Sequence, residues 1–306
     1  MDKIAFVFSG QGAQYSGMGK AFYTCSPAAR RVFDMADDIR PGTLKQCFEG
    51  TPEELTVTEN TQPCIYCVDL AAAAALREAG IDADMLAGFS LGEIAALAFS
   101  GAVTYEDGFK LVCRRAQHMQ NASKAAPAAM AAVLKLSDDE VVALTKEFEN
   151  VYAVNFNSPG QVVVSGEAGV LACFMARVKD AGGKAMPLKV SGGFHSPFMT
   201  AASDQFAAEL DNFLISPPSV PLFSNVTAKP YEDDLKGLLA RQIQSPVQWW
   251  RTVENMIELG AGTFVEVGPG KVLSGLVSRI SDKVRIFNVE DDVSLQNTIA
   301  EVKKHA

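Results

Sequence analysis

A chain of 306 residues, 48% hydrophobic and 21% charged, can hold one large domain with an insertion, built on a sizeable core. Its net charge of −9 argues against nucleic acid or an anionic membrane as the main partner. The six cysteines are too sparse for a disulfide scaffold and read as buried free thiols.

Near the start, IAFVF gives only a short apolar run before SGQG, below the roughly 7–15 residues of an export signal. The alanine-rich runs at 70–76 and 125–134 fall short of the ~20 residues that a membrane span requires. A cytoplasmic protein is therefore expected. KIAFVF (3–8) predicts a buried parallel strand. Helical periodicity follows at 27–39 and 63–79. The second of these holds a C-x-x-C, Cys64 and Cys67, which reads as helix-face packing because no second pair follows to complete a zinc site. A short strand at 85–87 precedes helices at 92–100 and 106–121.

Between about 125 and 190 the texture changes. MAAVLKL, SDDEVVALTKEF, VYAVNF, QVVVSG, GVLACFMARVKDAG and KAMPLKV give a βαββαβ order, which predicts a small ferredoxin-like unit. The α/β core resumes at about 191, with strands near 220–223, 263–267 and 284–288. The expected fold is α/β: an α/β-hydrolase-like, doubly wound core with a mostly parallel sheet (1–124 and 191–306), carrying the inserted subdomain (125–190).

In LAGFSLGEIAAL (86–97), Ser90 has Gly88 before it and Gly92 after it. Chance supplies about 0.1 such G-x-S-x-G matches in a chain like this. A short strand precedes the serine and a helix follows at once, the setting of a nucleophile elbow. Bulky neighbours would clash in so tight a turn, hence the glycines. The alternative is a serine N-cap with incidental glycines. Glu93 adds little, since the helix dipole favours an acid in the first turn anyway.

A serine hydroxyl needs a base. Of the three histidines, His305 is penultimate and His118 lies mid-helix in CRRAQHMQ. His195, in LKVSGGFHSPFM, follows a strand expected to end at Val190, and Ser196-Pro197 opens the next helix as N-cap and first residue. That loop position makes His195 the candidate base. FSGQGAQYSGMG fits neither the dinucleotide pattern, because Tyr15 stands where a third glycine is needed, nor the P-loop, because Met18 stands in place of lysine. It reads instead as a donor loop: Gly10 and Gly12 let the Gln11 N–H reach an oxyanion beside the N–H of Leu91. No metal site is visible.

With these pieces the sequence resembles the malonyl-CoA:acyl carrier protein transacylases and the related acyltransferase domains of polyketide synthases. The resemblance runs through FSGQGAQ, GFSLGEIAAL, RAQHMQ, NFNSPGQVVVSG, VSGGFHSPFM, SPVQWW and EVGPGKVLSGL, in family order over nearly the whole chain. It implies Ser90 as nucleophile, His195 as base, and the Gln11 and Leu91 backbone as oxyanion donors. A main-chain carbonyl at Gln248 is implied to orient the histidine, and Arg115 to clamp the substrate carboxylate. A guanidinium fork suits that clamp physically as well. The implied reaction is ping-pong transfer from malonyl-CoA to holo acyl carrier protein, with no cofactor, no nucleic acid or membrane partner, and a monomeric enzyme.

Phe194 resembles the bulky residue before the histidine in malonyl-selecting relatives, and Leu91 stands where methylmalonyl-selecting ones carry glutamine. Two departures stand out: Phe89 replaces the histidine usual before the nucleophile, and Ser9 replaces a proline before G-Q-G. Two rival functions are a serine esterase or thioesterase on the same Ser-His pair, and a binding module without turnover. The first would need an acid between Ser90 and His195 in chain order, yet Asp138, Asp139 and Asp180 fall in the small subdomain's helices.

Overall fold

The computed structural model describes residues 2–190 and 192–304. The strands are β1 (Lys3–Phe8), β2 (Met85–Gly88), β3 (Ala129–Leu134), β4 (Val151–Ser158), β5 (Gln161–Gly166), β6 (Lys184–Pro187), β7 (Leu222–Phe223), β8 (Ala261–Val267) and β9 (Arg285–Val289). The first seven helices are α1 (Lys20–Cys25), α2 (Pro27–Ile39), α3 (Thr43–Glu49), α4 (Thr58–Glu78), α5 (Gly92–Phe99), α6 (Tyr105–Ala125) and α7 (Asp138–Thr145). The remainder are α8 (Ala168–Asp180), α9 (Thr200–Leu210), α10 (Leu235–Gln242), α11 (Trp249–Glu258), α12 (Val272–Ile280) and α13 (Asp292–Lys304).

Two sheets result. The larger has strand order β7-β2-β1-β8-β9, with every pairing parallel. Its central strand shows why KIAFVF is apolar without alternation. Phe6 and Phe8 face one helix layer, which includes α4, α5 and α6, while Ala5 and Val7 face the opposite core under Trp249, Val253 and Leu273. Helices thus cover both faces, as a parallel sheet requires. Trp249, Phe206 and Phe223 are among its fully buried side chains.

The smaller sheet is antiparallel, in the order β4-β5-β3-β6. Its elements follow one another as β3-α7-β4-β5-α8-β6, the βαββαβ order read from the sequence. Ser137 and Glu140 close a reciprocal capping box on α7. The small sheet is tied to the large unit beside the site. The segment around Val247 pairs with β4 through Val247 N–H to Val154 O (2.9 Å) and Phe156 N–H to Val247 O (2.9 Å). Trp250 Nε1 donates to Asp138 Oδ2 at 2.8 Å.

Several local expectations are corrected. The helix expected from 63 begins at Thr58 and carries Pro63 inside it. The strand expected to reach Val190 stops at Pro187. Ser196 does cap the next segment, but Pro197–Met199 is a 3-10 turn before α9 begins. The strand expected at 220–223 pairs over Leu222–Phe223 alone. Cys64 and Cys67 are buried and unbridged on α4. No helix among the described residues is long and apolar enough to cross a membrane. The expectations placed on Ser191 and His305 lie outside the described residues.

The glycines around Ser90 answer to space. A Cβ on Gly88 would sit 2.0 Å from the Gly92 carbonyl carbon, and one on Gly92 would sit 2.4 Å from the Phe8 oxygen. Both contacts are with backbone, which cannot swing away. Gly88→Ala or Gly92→Ala should therefore lower unfolding free energy by roughly 1–3 kcal/mol or more in urea titrations. Gly275, exposed within α12 with nothing within 4 Å of its missing Cβ, is the control. Ala there should stabilise by about 0.5–1 kcal/mol. Equal behaviour at the three positions would contradict the close-approach account.

Candidate active site

The carboxyl ends of β1, β2 and β7 converge on one place, the edge at which open parallel sheets put their chemistry. β2 ends at Gly88, and α5 starts at Gly92. Between them Ser90 is held at φ 55°, a left-handed conformation unusual for any residue but glycine. Its N–H donates to Asn225 Oδ1 at 2.7 Å, and Asn225 Nδ2 donates to Gly88 O at 2.6 Å. Asn225, the second residue past β7, thus braces the strained turn from the neighbouring strand end.

His195 shares the left-handed strain, at φ 60°. Its Nε2 lies 2.8 Å from Ser90 Oγ, and its Nδ1 lies 2.9 Å from the Gln242 carbonyl oxygen. Its backbone N–H donates to Ile243 O at 3.1 Å. A carbonyl only accepts, so Nδ1 carries the hydrogen and Nε2 presents a lone pair to the serine. Burial first, and the Arg115 charge second, press the imidazole pKa down to about 4, against the pull of the Gln242 and Ser245 carbonyls. The ring is neutral at physiological pH.

The family resemblance implies Gln248 for that carbonyl, and the structure puts Gln242 there instead. The reason is local. Gln248 opens α11, and its carbonyl is taken by the Thr252 N–H (3.0 Å) and the Thr252 hydroxyl (2.8 Å). Gln242 closes α10, where the last carbonyls have no partner within the helix and remain free to accept.

Arg115 and Arg114 leave α6 on different faces. Arg114 is exposed near Glu209, whereas Arg115 is 1% exposed. Its Nη1 donates to Gln62 Oε1 (2.6 Å), and its Nη2 to Gln242 Oε1 (2.7 Å) and Ser90 Oγ (3.0 Å). Its Nε is buried without a hydrogen-bond partner, and no carboxylate pairs with the guanidinium among the described residues. Burial brings its pKa down to about 10, which leaves it charged. A buried cation held by neutral amides keeps its attraction for an anion.

Behind it lies a polar network that the sequence did not disclose. Gln242 Nε2 donates to Ser90 O (2.7 Å) and to Glu93 Oε2 (3.0 Å). Glu93 also accepts from Asn225 N–H (3.0 Å) and from the Tyr231 hydroxyl. Gln62, Glu93, Asn225, Tyr231 and Gln242 come from distant segments. Only Glu93 carried a local signal, and helix-dipole preference accounts for that equally well.

A cavity of about 80 Å³ gathers most of the expected residues: Ser90, Leu91, Gln11, Arg115, His195, Phe194 and Phe89 all line it. Gln248 does not; its N–H donates to Asn225 O. The N–H groups of Gln11 and Leu91 have no intrachain acceptor among the described residues. Phe89 packs edge-on against Trp249, with ring centroids 5.4 Å apart, and its backbone oxygen would lie 2.8 Å from a Cβ at Gly10. The small sheet's side supplies Met130, Asn155 and Leu188, so the cavity lies between the two sheets. His118 sits apart on α6, its Nε2 3.5 Å from Glu209. No cluster suited to a metal ion occurs among the described residues.

A family model described as an acyl transferase domain matches residues 5–304. The malonyl CoA-acyl carrier protein transacylase of Bacillus subtilis strain 168 is 39% identical over 312 aligned positions, covering 99% of this chain and 98% of its own. The crystal structure of the enzyme of that name from Clostridium perfringens superposes with a TM-score of 0.95 at 38% identity, over 99% of this chain and 98% of its own. A malonyl-transacylase solved in complex with its type II PKS acyl-carrier protein gives a TM-score of 0.94 at 34% identity, over 98% and 99% of the two chains.

The electrostatics give a signed expectation. Because the Arg115 charge helps to depress the His195 pKa, removing that charge raises it, and the imidazole takes up its proton at a higher pH. In Arg115→Met, the acid limb for labelling Ser90 with a neutral sulfonyl fluoride should move up by about one pH unit. A limb that stays put or moves down would show that the two groups are not coupled.

Proposed function

The chain belongs to the acyl transferase domain family and is an acyltransferase, and on that premise we propose that it moves a malonyl group from malonyl-CoA to the phosphopantetheine thiol of an acyl carrier protein. The observation that carries the reading is Arg115: a buried guanidinium without a carboxylate partner, 3.0 Å from the hydroxyl of an elbow serine. An acyl group attached to that serine and ending in a free carboxylate would satisfy the cation; acetyl would not.

In the reaction so read, His195 Nε2 takes the Ser90 proton as Oγ attacks the thioester carbonyl. The oxyanion meets the Gln11 and Leu91 N–H groups and the N-terminus of α5. Collapse breaks the C–S bond, and the departing CoA thiolate receives the proton from His195. The carrier's thiol then gives its proton to His195 and attacks the ester, and Ser90 recovers its proton as it leaves. The substrate carboxylate has a second effect: by offsetting the Arg115 charge it relieves one cause of the depressed His195 pKa, so the base strengthens when the correct acyl group is present.

Phe194 and Phe89 are the residues we assign to acyl selection, since both line the cavity. A ring at 194 leaves less room for an α-methyl, a discrimination worth about 1–3 kcal/mol. We infer a hydrolase-like large unit and a ferredoxin-like small one, with boundaries at 124/125 and 190/191. An esterase is the less favoured reading, because His195 Nδ1 faces a carbonyl where a hydrolase triad would have a carboxylate.

Intact mass after brief exposure to malonyl-CoA tests the proposal. The expected result is a malonyl adduct on the native protein that is absent from Ser90→Ala, persists in buffer and is discharged by holo acyl carrier protein. An adduct cleared by water alone at catalytic speed would identify a hydrolase. Arg115→Met should lower kcat/KM for malonyl-CoA about 100-fold, near the ~3 kcal/mol of a charged hydrogen bond, and lower that for acetyl-CoA far less. Equal losses on both substrates would remove the carboxylate clamp from the mechanism.

A further inference from the structure

Glu93 is fully buried on α5, is not among the residues that line the cavity, and has no part in the acyl-transfer steps. Its surroundings nonetheless suit an anion. Asn225 N–H, the Tyr231 hydroxyl and Gln242 Nε2 all donate to it. The Gln242 amide then turns its oxygen to Arg115 Nη2 at 2.7 Å. The amide cannot reverse without setting its N–H groups against the guanidinium and its oxygen against the Ser90 carbonyl. One oriented dipole therefore links carboxylate to guanidinium, with the nucleophile's own backbone attached to it.

We propose that Glu93 is the resident counter-anion of Arg115, acting through the Gln242 amide, and that it takes up a proton when the carboxylate of an acyl group reaches the guanidinium. The inference rests on the malonyl-transfer reading and adds a positioning residue to it. A single guanidinium cannot offset two carboxylates in a buried site, where like charges repel. The incoming carboxylate makes direct contact, so the indirect partner yields.

Burial pushes Glu93 up to about 7, against the opposing pull of Tyr231, Gln242, Asn225 and Arg115, so the proton is exchangeable near neutrality. The other titratable groups facing this network lie outside that range. His195 is down at about 4, Arg115 is at about 10, and burial drives Tyr231 well above its ordinary value.

Linkage makes the proposal measurable. Exchange between malonyl-CoA and Ser90 moves the serine proton onto the CoA thiol, so the chemistry consumes no proton between pH 6 and 8. Any pH dependence of that equilibrium belongs to the protein, and uptake on acylation means that acylation is favoured as pH falls. The experiment equilibrates the protein with fixed ratios of malonyl-CoA to CoA across pH 6–8 and reads the acylated fraction by intact mass. Acetyl-CoA with CoA serves as the uncharged control.

In the native protein the malonyl equilibrium constant should fall by up to about tenfold from pH 6 to pH 8, the equivalent of one unit of coupling, while the acetyl one stays flat. Glu93→Gln should flatten the malonyl curve and abolish the infrared band of a protonated carboxyl that appears on malonylation. Tyr231→Phe removes a donor to the carboxylate and should move the transition to higher pH, which keeps the test open should Glu93→Gln fail to fold.

A Glu93→Gln protein with the native pH dependence, or a Tyr231→Phe protein with an unmoved midpoint, would overturn the proposal. A malonyl adduct on the native protein with a flat curve would overturn it and leave the transfer reading intact. Failure of the native protein to form any malonyl adduct would bring down the reading and the inference together.

Discussion

A guanidinium sunk in protein with only neutral groups to hold it is the constraint on which the rest of the site depends. Placing Arg115 there costs desolvation energy that no ion pair returns directly. The surrounding atoms are arranged around that cost. Gln62 approaches from α4 and Gln242 from α10, each with an amide oxygen toward the cation, and Ser90 offers its hydroxyl. The same charge helps to hold His195 neutral, and it draws on Glu93 at one remove. Ser90, His195 and Arg115 are therefore one electrostatic unit, in which a change at any member alters the protonation of the others.

Gln242 joins these members physically. Its side chain spans Arg115, Glu93 and the Ser90 carbonyl, while its backbone carbonyl sets the His195 tautomer. That double use follows from its place as the last residue of α10, where the carbonyl is not needed by the helix. The backbone strain at Ser90 and His195 is held by the same neighbours. Asn225 binds the Ser90 N–H and the Gly88 carbonyl, and Ile243 binds the His195 N–H. Residues kept at positive φ persist where several independent contacts fix them, and here those contacts also set the chemistry.

Phe89 fits this arrangement from the apolar side. Where the resembling family usually has histidine, the phenyl ring lies against Trp249 and closes the wall next to Gly10. An apolar wall lowers the local dielectric, which strengthens the interactions of Arg115 and deepens the depression of His195. The small sheet completes the enclosure from the other side with Met130, Asn155 and Leu188, and the pairing of Val247 with β4 keeps it there. The SPVQWW stretch therefore docks one sheet beside the other.

Much of this was written locally and could be read from the chain. β1 and β2 announce themselves as short apolar runs because both of their faces are buried. The βαββαβ order follows from alternating periodicities, and the elbow from two glycines whose side chains would strike backbone. Ser90, His195 and Arg115 were legible because an elbow, a scarcity of histidines and a family motif each mark a short stretch. The histidine's carbonyl partner was misplaced within its own segment, since nothing in ARQIQSPVQWW says which carbonyl a helix end leaves free. Gln62, Asn225, Tyr231 and the role of Glu93 carried no such mark. Their function is created when α4, α5, α10 and the end of β7 meet around one buried charge, and hydrogen bonding between segments far apart in sequence leaves no periodicity or spacing behind. The sequence alone determined which groups could react, through residue type and local turn geometry. Tertiary structure decided their protonation states and what holds them, because burial and through-space charge depend on packing.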